Sequence, residues 1–460
     1  MEPTDRPRLA RRDFCRTGLA TMAGYYLLPM LRPLNVQAKE RVKPRGAAEY
    51  CVFLFLNGGA PQLDTWDLKE GRWTPPDFDV RTVKPGVLWP YGQFPKLATQ
   101  LDRVALARST EAWENAHARA QYYMQVGHIF SPPRANEMPS VGSVVASEFA
   151  SRRREGDFLP PFVAINFGAA QAGLIKQGCL PESNVPLSLN MEQAIPFVVP
   201  EAEKPAFARR WRLLRSLENA GRVNTLQNAS FSEFDSFYGS AHGMMTSQGI
   251  AKVLELPEKE RGRYGSSALG DGCLLAKQLL ASESGTRYVL VSHNGWDLHA
   301  NMYDKKAKNN HYTLCRDFDN AFPAFLDDLH NTRMSDGRTL LEKTFIVCMG
   351  EFGRTGGDLT VNKGRDHNQR AACAMFAGAG VKGGHVFGVT DEKGERVIQS
   401  EWDEKRSIYP EDVIATIYSQ LGIDWTKRIT NTPSGRAFEY VEPMSGTNFV
   451  NFREISNLFT

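Results

Sequence analysis

Short apolar runs recur along the chain, and their pattern constrains the fold more than any other feature of the sequence. The runs are CVFLFLN at 51–57, VALA at 104–107, FVAIN at 162–166, YVLVS at 288–292, FIVCM at 345–349 and AMFAG at 374–378. None of them shows the apolar–polar alternation of a strand that has one face in water. Such runs are typical of strands buried on both faces, as in a parallel sheet.

Helical patterns lie between these runs. The segment SVGSVVASEFASRRR begins with Ser140, which predicts an N-cap, and residues 269–282 and 313–330 repeat apolar residues at helical spacing. Pro410 and Gly422 predict the two ends of a later helix. Because strands alternate with helices, the sequence predicts an α/β fold with a doubly wound, mostly parallel sheet.

The net charge of the chain is concentrated at its amino terminus. The formal net charge is +3, and residues 1–38 contain six arginines and three acidic residues, so residues 39–460 are neutral overall. A charge this small and this localised does not predict a nucleic-acid partner. The charge therefore points to a processing segment rather than to a binding surface.

Residues 1–38 have the three parts of a signal peptide in order: a basic stretch, a short apolar stretch and small residues before Ala38. The apolar stretch is too short, and too interrupted, to predict a membrane span. RRDFCRTG, with Arg11 and Arg12, resembles the twin-arginine export signal. We therefore predict cleavage after Ala38, with an uncleaved leader or a basic tail as alternatives. The twin-arginine export machinery would deliver residues 39–460, as one domain, to the periplasm or the medium.

Four polar motifs lie beside the apolar runs. They are NGGAPQLDTWD at 57–67, HNGWDLHAN at 293–301, GEFGRT at 350–355 and GRDHNQRA at 364–371. An α/β sheet binds its ligands beyond the carboxyl ends of its strands, and Asp, Glu and His are ligands for zinc, manganese and related cations. The motifs therefore predict a metal site. Walker A, HExxH and GxSxG motifs are absent from the sequence.

Together these motifs, in this order, resemble the DUF1501 family, which is placed in the alkaline phosphatase-like (sulfatase-like) superfamily. GEFGRT followed by GRDH is the most specific part of the resemblance, which covers almost the whole chain. The resemblance implies an α/β/α sandwich. It also implies hydrolysis of phosphate or sulfate esters by one or two metal ions and a nucleophile at the start of a helix.

The resemblance also implies a set of metal ligands. They are Asp64, Asp297, His299, Glu351, Asp366 and His367. Asn57 occupies the position at which the superfamily usually has an aspartate ligand, and Asp64 is the carboxylate that could replace it. The metal could be zinc, calcium, magnesium or manganese.

Three residues are expected to act on the substrate, and each has an alternative role. His117 lies ten residues before Gly127, where sulfatases have a nucleophilic Cys or Ser. His117 could be a metal ligand, a nucleophile, a base for direct attack by water, or a polar helix residue. Arg354 and Arg365 are expected to bind substrate oxygens, and the alternative is that they orient Glu351 or Asp366 through salt bridges.

The sequence thus predicts an exported, metal-dependent hydrolase of phosphate or sulfate esters. Its partner would be a small anionic ester or a sulfated glycan. The alternative is a secreted, non-catalytic binding protein that keeps the fold and a structural metal, because a fold does not by itself determine a function.

Overall fold

The computed structural model describes residues 42–168, 174–192, 199–221, 235, 238–239, 241–444 and 450–459. The strands are β1 (Tyr50–Asn57), β2 (Val80–Lys84), β3 (Val87–Pro90), β4 (Val104–Thr110), β5 (Phe162–Ile165), β6 (Leu187–Leu189), β7 (Tyr288–Asn294), β8 (Thr344–Met349), β9 (Gly353–Arg354), β10 (His367–Asn368), β11 (Ala372–Ala377), β12 (Val386–Phe387), β13 (Val389–Thr390), β14 (Val397–Gln399), β15 (Arg428–Ile429) and β16 (Phe438–Glu439). The helices are α1 (Pro95–Ala98), α2 (His117–Val126), α3 (Val141–Phe149), α4 (Lys204–Gly221), α5 (Gln248–Leu254), α6 (Glu258–Tyr264), α7 (Ala268–Ala281), α8 (His311–Asn331), α9 (Leu340–Lys343) and α10 (Pro410–Gln420).

Eight of these strands form one central sheet, in the order β12-β4-β11-β8-β1-β7-β5-β6. Strand β1 lies between β7 and β8 and is parallel to both. Strand β11 is antiparallel to both of its neighbours, β4 and β8. The remaining pairs in the sheet are parallel. The prediction of an α/β fold with a mostly parallel sheet is confirmed.

All six apolar runs form strands of this sheet, and all six are buried. The physical reason is that a strand covered on both faces has no position that favours a polar side chain. The sequence pattern did not distinguish β11 from the parallel strands, because burial on both faces does not report strand direction.

Helices cover both faces of the sheet. On one face, Val52, Leu54 and Leu56 of β1 share a hydrophobic core with helices α7 and α8. On the other face, helix α3 lies so close to the ring of Phe162 that a Cβ on Gly142 would lie 2.6 Å from it. The expected α/β/α layering follows from these two contacts.

The predicted helices are present with small shifts at their ends. Residues 269–282 and 313–330 correspond to α7 and α8, and α10 begins at Pro410. Ser140 occupies the N-cap position of α3, but its hydroxyl lies 3.0 Å from that of Ser143 and makes no capping hydrogen bond to the backbone.

The predicted signal peptide, residues 1–38, lies outside the described residues. Among the helices that the structure does describe, none combines the length and the apolar character required to cross a bilayer.

Candidate metal centre

Several loops meet at one edge of the central sheet. Strands β1, β7 and β8 are parallel, so the segments that follow them begin at the same edge. Strand β11 runs the other way, and its first residue, Ala372, pairs with Thr110 at the end of β4. The antiparallel direction of β11 therefore brings the preceding segment, which contains His367, to this same edge.

The loops at this edge approach each other closely because glycines allow it. Gly58 has φ +104°, and a Cβ on it would lie 2.4 Å from the backbone nitrogen of Asp297. A Cβ on Gly364 would lie 2.1 Å from the carbonyl carbon of His299. The backbone nitrogen of Arg365 also donates to the carbonyl of Leu298 at 3.0 Å. The glycines of the motifs NGG and GRDH thus pack the predicted site residues together.

Three histidines and one aspartate converge at this edge, and we call them the histidine–aspartate cluster: His117, Asp297, His299 and His367. One ligand atom from each lies within 4.8 Å of the other three. Asp297 Oδ1 lies 2.9 Å from His117 Nε2, 2.8 Å from His299 Nε2 and 3.7 Å from His367 Nε2. His299 Nε2 and His367 Nε2 are 3.0 Å apart. Three imidazole Nε2 atoms and one carboxylate oxygen therefore face a common point.

The opposite nitrogen of each imidazole is held by an acceptor. His117 Nδ1 lies 2.7 Å from Glu351 Oε1, and His299 Nδ1 lies 2.9 Å from Asp366 Oδ1. His367 Nδ1 lies 2.5 Å from the carbonyl oxygen of Asn115. Carboxylate and carbonyl oxygens only accept, so these contacts place a hydrogen on each Nδ1, and each Nε2 can bind a metal ion when it carries no proton. This is the usual arrangement around metal-binding histidines.

The cluster fits a bound cation. Two Nε2 lone pairs at 3.0 Å repel each other unless a proton or a metal ion lies between them. His117 Nε2 is buried and has no well-directed hydrogen-bond partner, although Asp297 is near. Ligands of one tetrahedral zinc ion at 2.0–2.1 Å would lie about 3.3 Å apart, which is within the range of separations in the cluster. The donor set and its separations thus suit a metal ion.

The ionisation of the cluster supports this interpretation. Burial opposes a charge on His117, but the carboxylates of Asp297 and Glu351 outweigh burial and raise its pKa to about 9. Burial alone would raise the pKa of Asp297, whereas His117 and Arg354 together lower it below its usual range. Burial lowers the pKa of His367. The carboxylates therefore favour a positive charge at this point, and a metal ion would compete with a proton for it.

Glu351 and Asp366, both expected as ligands, contact the Nδ1 side of the histidines instead. Glu351 is buried, and both of its oxygens accept from the backbone nitrogen of Gly58, at 3.0 and 3.1 Å. Asp366 accepts from His299 at the outer side of the cluster, with its side chain 64% exposed. Both carboxylates thus hold histidines in orientation rather than facing the common point of the Nε2 atoms.

Arg354 is buried beside the cluster and its donors are occupied. Its Nη2 donates to Asp297 Oδ1 at 2.6 Å and to the carbonyl of Gly58. Its Nε donates to the carbonyl of Gly59 at 3.1 Å, and its Nη1 donates to the carbonyl of Arg365 at 3.0 Å. Since Arg354 is only 1% exposed, it holds Asp297 and the glycine loop in place and presents no free edge to a substrate.

Asp64 and Arg365 are not brought to the cluster but form a buried ion pair with each other. Arg365 Nε donates to Asp64 Oδ2 at 2.6 Å, and Arg365 Nη2 donates to Asp64 Oδ1 at 3.1 Å. Arg365 Nη1 donates to the carbonyls of Thr355 and Gly357. Both side chains are 1% exposed. The structure differs here from the expected roles of Asp64 as a ligand and Arg365 as a substrate-binding residue, because each satisfies the other.

Sequence reasoning missed three supporting residues. Phe352 lies in the GEFGRT motif, and its ring centroid is 4.8 Å from that of His117 and 4.7 Å from that of His367. Gln121 Nε2 donates to Asn57 Oδ1 at 2.7 Å and lies 3.3 Å from Glu351 Oε1. The third is Asn115, whose carbonyl accepts from His367. Of the three, only Phe352 could have been recognised from the sequence, because it lies inside the GEFGRT motif.

A buried hydrogen bond links helix α2, which begins at His117, to helix α10. The hydroxyl of Tyr123 donates to Glu411, which is 5% exposed. Burial raises the pKa of Glu411 from 4.5 to about 8. In this interval the unfolded chain releases a proton that the folded protein keeps, so Glu411 makes the protein less stable as the pH rises from 4.5 to 8.

Glu411→Gln is therefore expected to remove this pH dependence. At pH 4 the variant and the wild type should have similar free energies of unfolding, and at about pH 8 the variant should be more stable by roughly 2–4 kcal/mol. Urea unfolding across this pH range measures the difference. Glu392→Gln, at an exposed position, is the control and should follow the wild type. A difference that stays constant with pH would show that the pKa of Glu411 is the same in the folded and unfolded chains.

The fold and the site define a class: an α/β protein with a candidate His₃Asp metal-ligand group at one edge of a mostly parallel sheet. The sequence matches the family described as "Protein of unknown function (DUF1501)" over residues 48–449. The chain belongs to the DUF1501 family, as the motifs GEFGRT and GRDH predicted.

Solved structures that are similar to the chain at low sequence identity include the following three. One is a protein in the alkaline phosphatase superfamily from Vibrio parahaemolyticus, with 11% identity, coverage of 83% of this chain and 69% of that chain, and a TM-score of 0.37. The lipoteichoic acid synthase from Listeria monocytogenes has 9% identity, coverage of 83% and 74%, and a TM-score of 0.37. The phosphonate monoester hydrolase from Silicibacter pomeroyi has 10% identity, coverage of 81% and 73%, and a TM-score of 0.34. No curated protein matches the sequence.

Proposed function

We propose that the protein is an exported, metal-dependent hydrolase of phosphate or sulfate esters. The observation that carries the proposal is the convergence of three Nε2 atoms and one carboxylate oxygen, with an acceptor on every Nδ1. The substrate would be a small anionic ester or a sulfated glycan.

The residues that would hold the metal are the four of the histidine–aspartate cluster. Imidazole ligands suit zinc and neighbouring transition metals, whereas calcium and magnesium prefer oxygen ligands. We therefore favour zinc among the metals considered. A divalent cation bound here would act as a Lewis acid on the ester and lower the pKa of water.

The protein's own residues prepare the site for this chemistry. Glu351 and Asp366 keep the imidazoles in one tautomer, and Arg354 holds Asp297 through a charge-assisted hydrogen bond. The ring of Phe352 covers one side of His117 and His367 and excludes water from it. These contacts fix the donor atoms before any ligand arrives, which reduces the cost of reorganisation.

We infer that water attacks the ester directly. In the part of the chain that the structure describes, no serine, threonine or cysteine side chain hydrogen-bonds to the cluster. His117, which begins helix α2, directs its Nε2 to the common point of the cluster and its Nδ1 to Glu351. Of the roles open to His117 from the sequence, that of metal ligand agrees best with this geometry.

We also propose that residues 1–38 direct export through the twin-arginine machinery and that residues 39–460 work as one domain in the periplasm or the medium. The twin-arginine motif and the concentration of positive charge in residues 1–38 support this location.

One observation favours the second candidate function, a secreted binding protein with a structural metal. Four protein ligands complete a tetrahedral sphere, as in structural zinc sites, whereas catalytic zinc sites keep one position for water. The cluster offers four ligand atoms. In the catalytic case Asp297, already held by Arg354, would leave one position open.

Metal analysis combined with turnover assays separates the two functions. The full chain, purified without chelator, is expected to contain about one metal ion and to hydrolyse p-nitrophenyl esters of phosphate or sulfate. Removal of the metal should abolish turnover, and readdition should restore it. A stoichiometric metal without turnover of any ester would support the binding protein. A protein that takes up no metal would contradict both.

A further inference from the structure

We propose that the site selects monoanionic esters over dianionic phosphate monoesters. Monoanionic substrates here are phosphodiesters, phosphonate monoesters and sulfate monoesters. The inference rests on the proposed hydrolase function and follows from the charges that surround the histidine–aspartate cluster.

The cluster and its immediate contacts carry more negative than positive charge. Three carboxylates contribute, from Asp297, Glu351 and Asp366, and each lies within 2.9 Å of a cluster imidazole. Among the described residues, Arg354 is the one lysine or arginine in contact with the cluster. With neutral imidazoles as ligands, the protein contributes a net charge of −2, which one divalent cation cancels. A bound ester thus meets a site of zero net charge.

The site lacks an available guanidinium to offset a second negative charge on the substrate. Arg354 and Arg365 are each 1% exposed, and their donors are occupied by Asp297, by Asp64 and by backbone carbonyls. Recognition of a dianionic phosphate commonly uses free arginine forks. In the described structure, no side chain that contacts the cluster offers such a free arginine fork.

Asp366 adds a negative charge on the solvent-exposed side of the cluster. Its side chain is 64% exposed, and it lies on the outer side of His299. A carboxylate this exposed repels an anion that approaches past His299, because like charges at close range disfavour binding. The neighbouring polar residues Asn57 and Gln121 are amides, which can donate hydrogen bonds without adding charge.

The first test compares substrates that share a leaving group. At about pH 8 p-nitrophenyl phosphate is a dianion, since phosphate monoesters lose their second proton near pH 6. Methyl p-nitrophenyl phosphate, p-nitrophenyl phenylphosphonate and p-nitrophenyl sulfate are monoanions. The metal-loaded full chain is expected to show a kcat/KM at least about tenfold higher for one of the monoanions than for the dianion. An equal or higher value for the dianion would overturn the inference.

The second test measures binding without turnover. Phenylphosphonate, a dianion at this pH, and its methyl ester, a monoanion, are titrated calorimetrically into the metal-loaded protein. The methyl ester should bind at least about tenfold more tightly. If no ester is turned over but this binding preference holds, the hydrolase proposal fails and the charge selection stands. Equal binding, tighter binding of the dianion, or no binding of either would overturn the charge selection.

Asp366→Asn tests the origin of the preference. The asparagine keeps an oxygen that can accept from His299 but removes the negative charge beside it. The variant should improve kcat/KM for the dianion relative to the methyl diester by about fivefold or more. Asp358→Asn is the matched control, because Asp358 is an exposed carboxylate paired with Arg72 away from the cluster, and it should leave the ratio unchanged. An unchanged ratio in Asp366→Asn would contradict the role of this charge.

Discussion

His367→Ala is expected to abolish stoichiometric metal binding by the protein. His367 Nε2 lies 3.0 Å from His299 Nε2, and its Nδ1 is fixed by the carbonyl of Asn115. Loss of this imidazole removes one of four converging donors, and no other residue of the cluster can replace it. Metal content per chain after dialysis, measured by mass spectrometry, reports the loss directly. Circular dichroism confirms that the variant is folded.

Two further variants make this prediction specific. Glu351→Gln removes the carboxylate that orients His117 but leaves the four donors, so metal affinity should fall by about 10–100-fold rather than disappear. His330→Ala, at an exposed position in the last turn of helix α8, should bind metal like the wild type. Full metal occupancy in His367→Ala would exclude the cluster as the metal site. A complete loss in Glu351→Gln would instead indicate that Glu351 is itself a ligand.

Arg365→Ala should destabilise the protein by about 3–5 kcal/mol, because it leaves the Asp64 carboxylate buried without its partner. The free energy of unfolding from urea titrations measures this effect. Arg396, which is 70% exposed and pairs with Asp391, provides the control: Arg396→Ala should change stability by less than about 0.5 kcal/mol.

A double variant separates the ion pair from other causes of instability. Asp64→Leu combined with Arg365→Met replaces both charges by apolar groups and should recover much of the lost stability, since buried ion pairs are often no better than apolar contacts. If Arg365→Ala keeps full stability but loses ester turnover, Arg365 binds substrate and the structural role is wrong.

Most of the fold was predictable because the signal for it is local. The apolar runs report burial on both faces, and burial on both faces requires a covered, mostly parallel sheet. The direction of β11 was not predictable, because AMFAG is as continuously apolar as the parallel strands of the sheet. Its direction depends on how the segment between β8 and β11 crosses the edge of the sheet, which involves contacts far apart in the sequence.

The candidate site was likewise predictable only where the signal is local. The motifs identified His117, Asp297, His299 and His367 as residues of interest, since metal-binding side chains beside buried strands are a recognisable pattern. Their partners were not predictable. Arg354 lies three residues from Glu351 but binds Asp297, 57 positions away in the sequence.

The sequence by itself determined the layers of the protein, the family to which it belongs and the motifs that meet at one edge of the sheet. Only the tertiary structure decided which atoms face each other. It turned Glu351 and Asp366 to the Nδ1 side of the imidazoles, and it paired Arg365 with Asp64, 301 positions away. The physical reason is that hydrophobic periodicity is a property of neighbours along the chain, whereas hydrogen bonds and ion pairs depend on distances that folding alone creates.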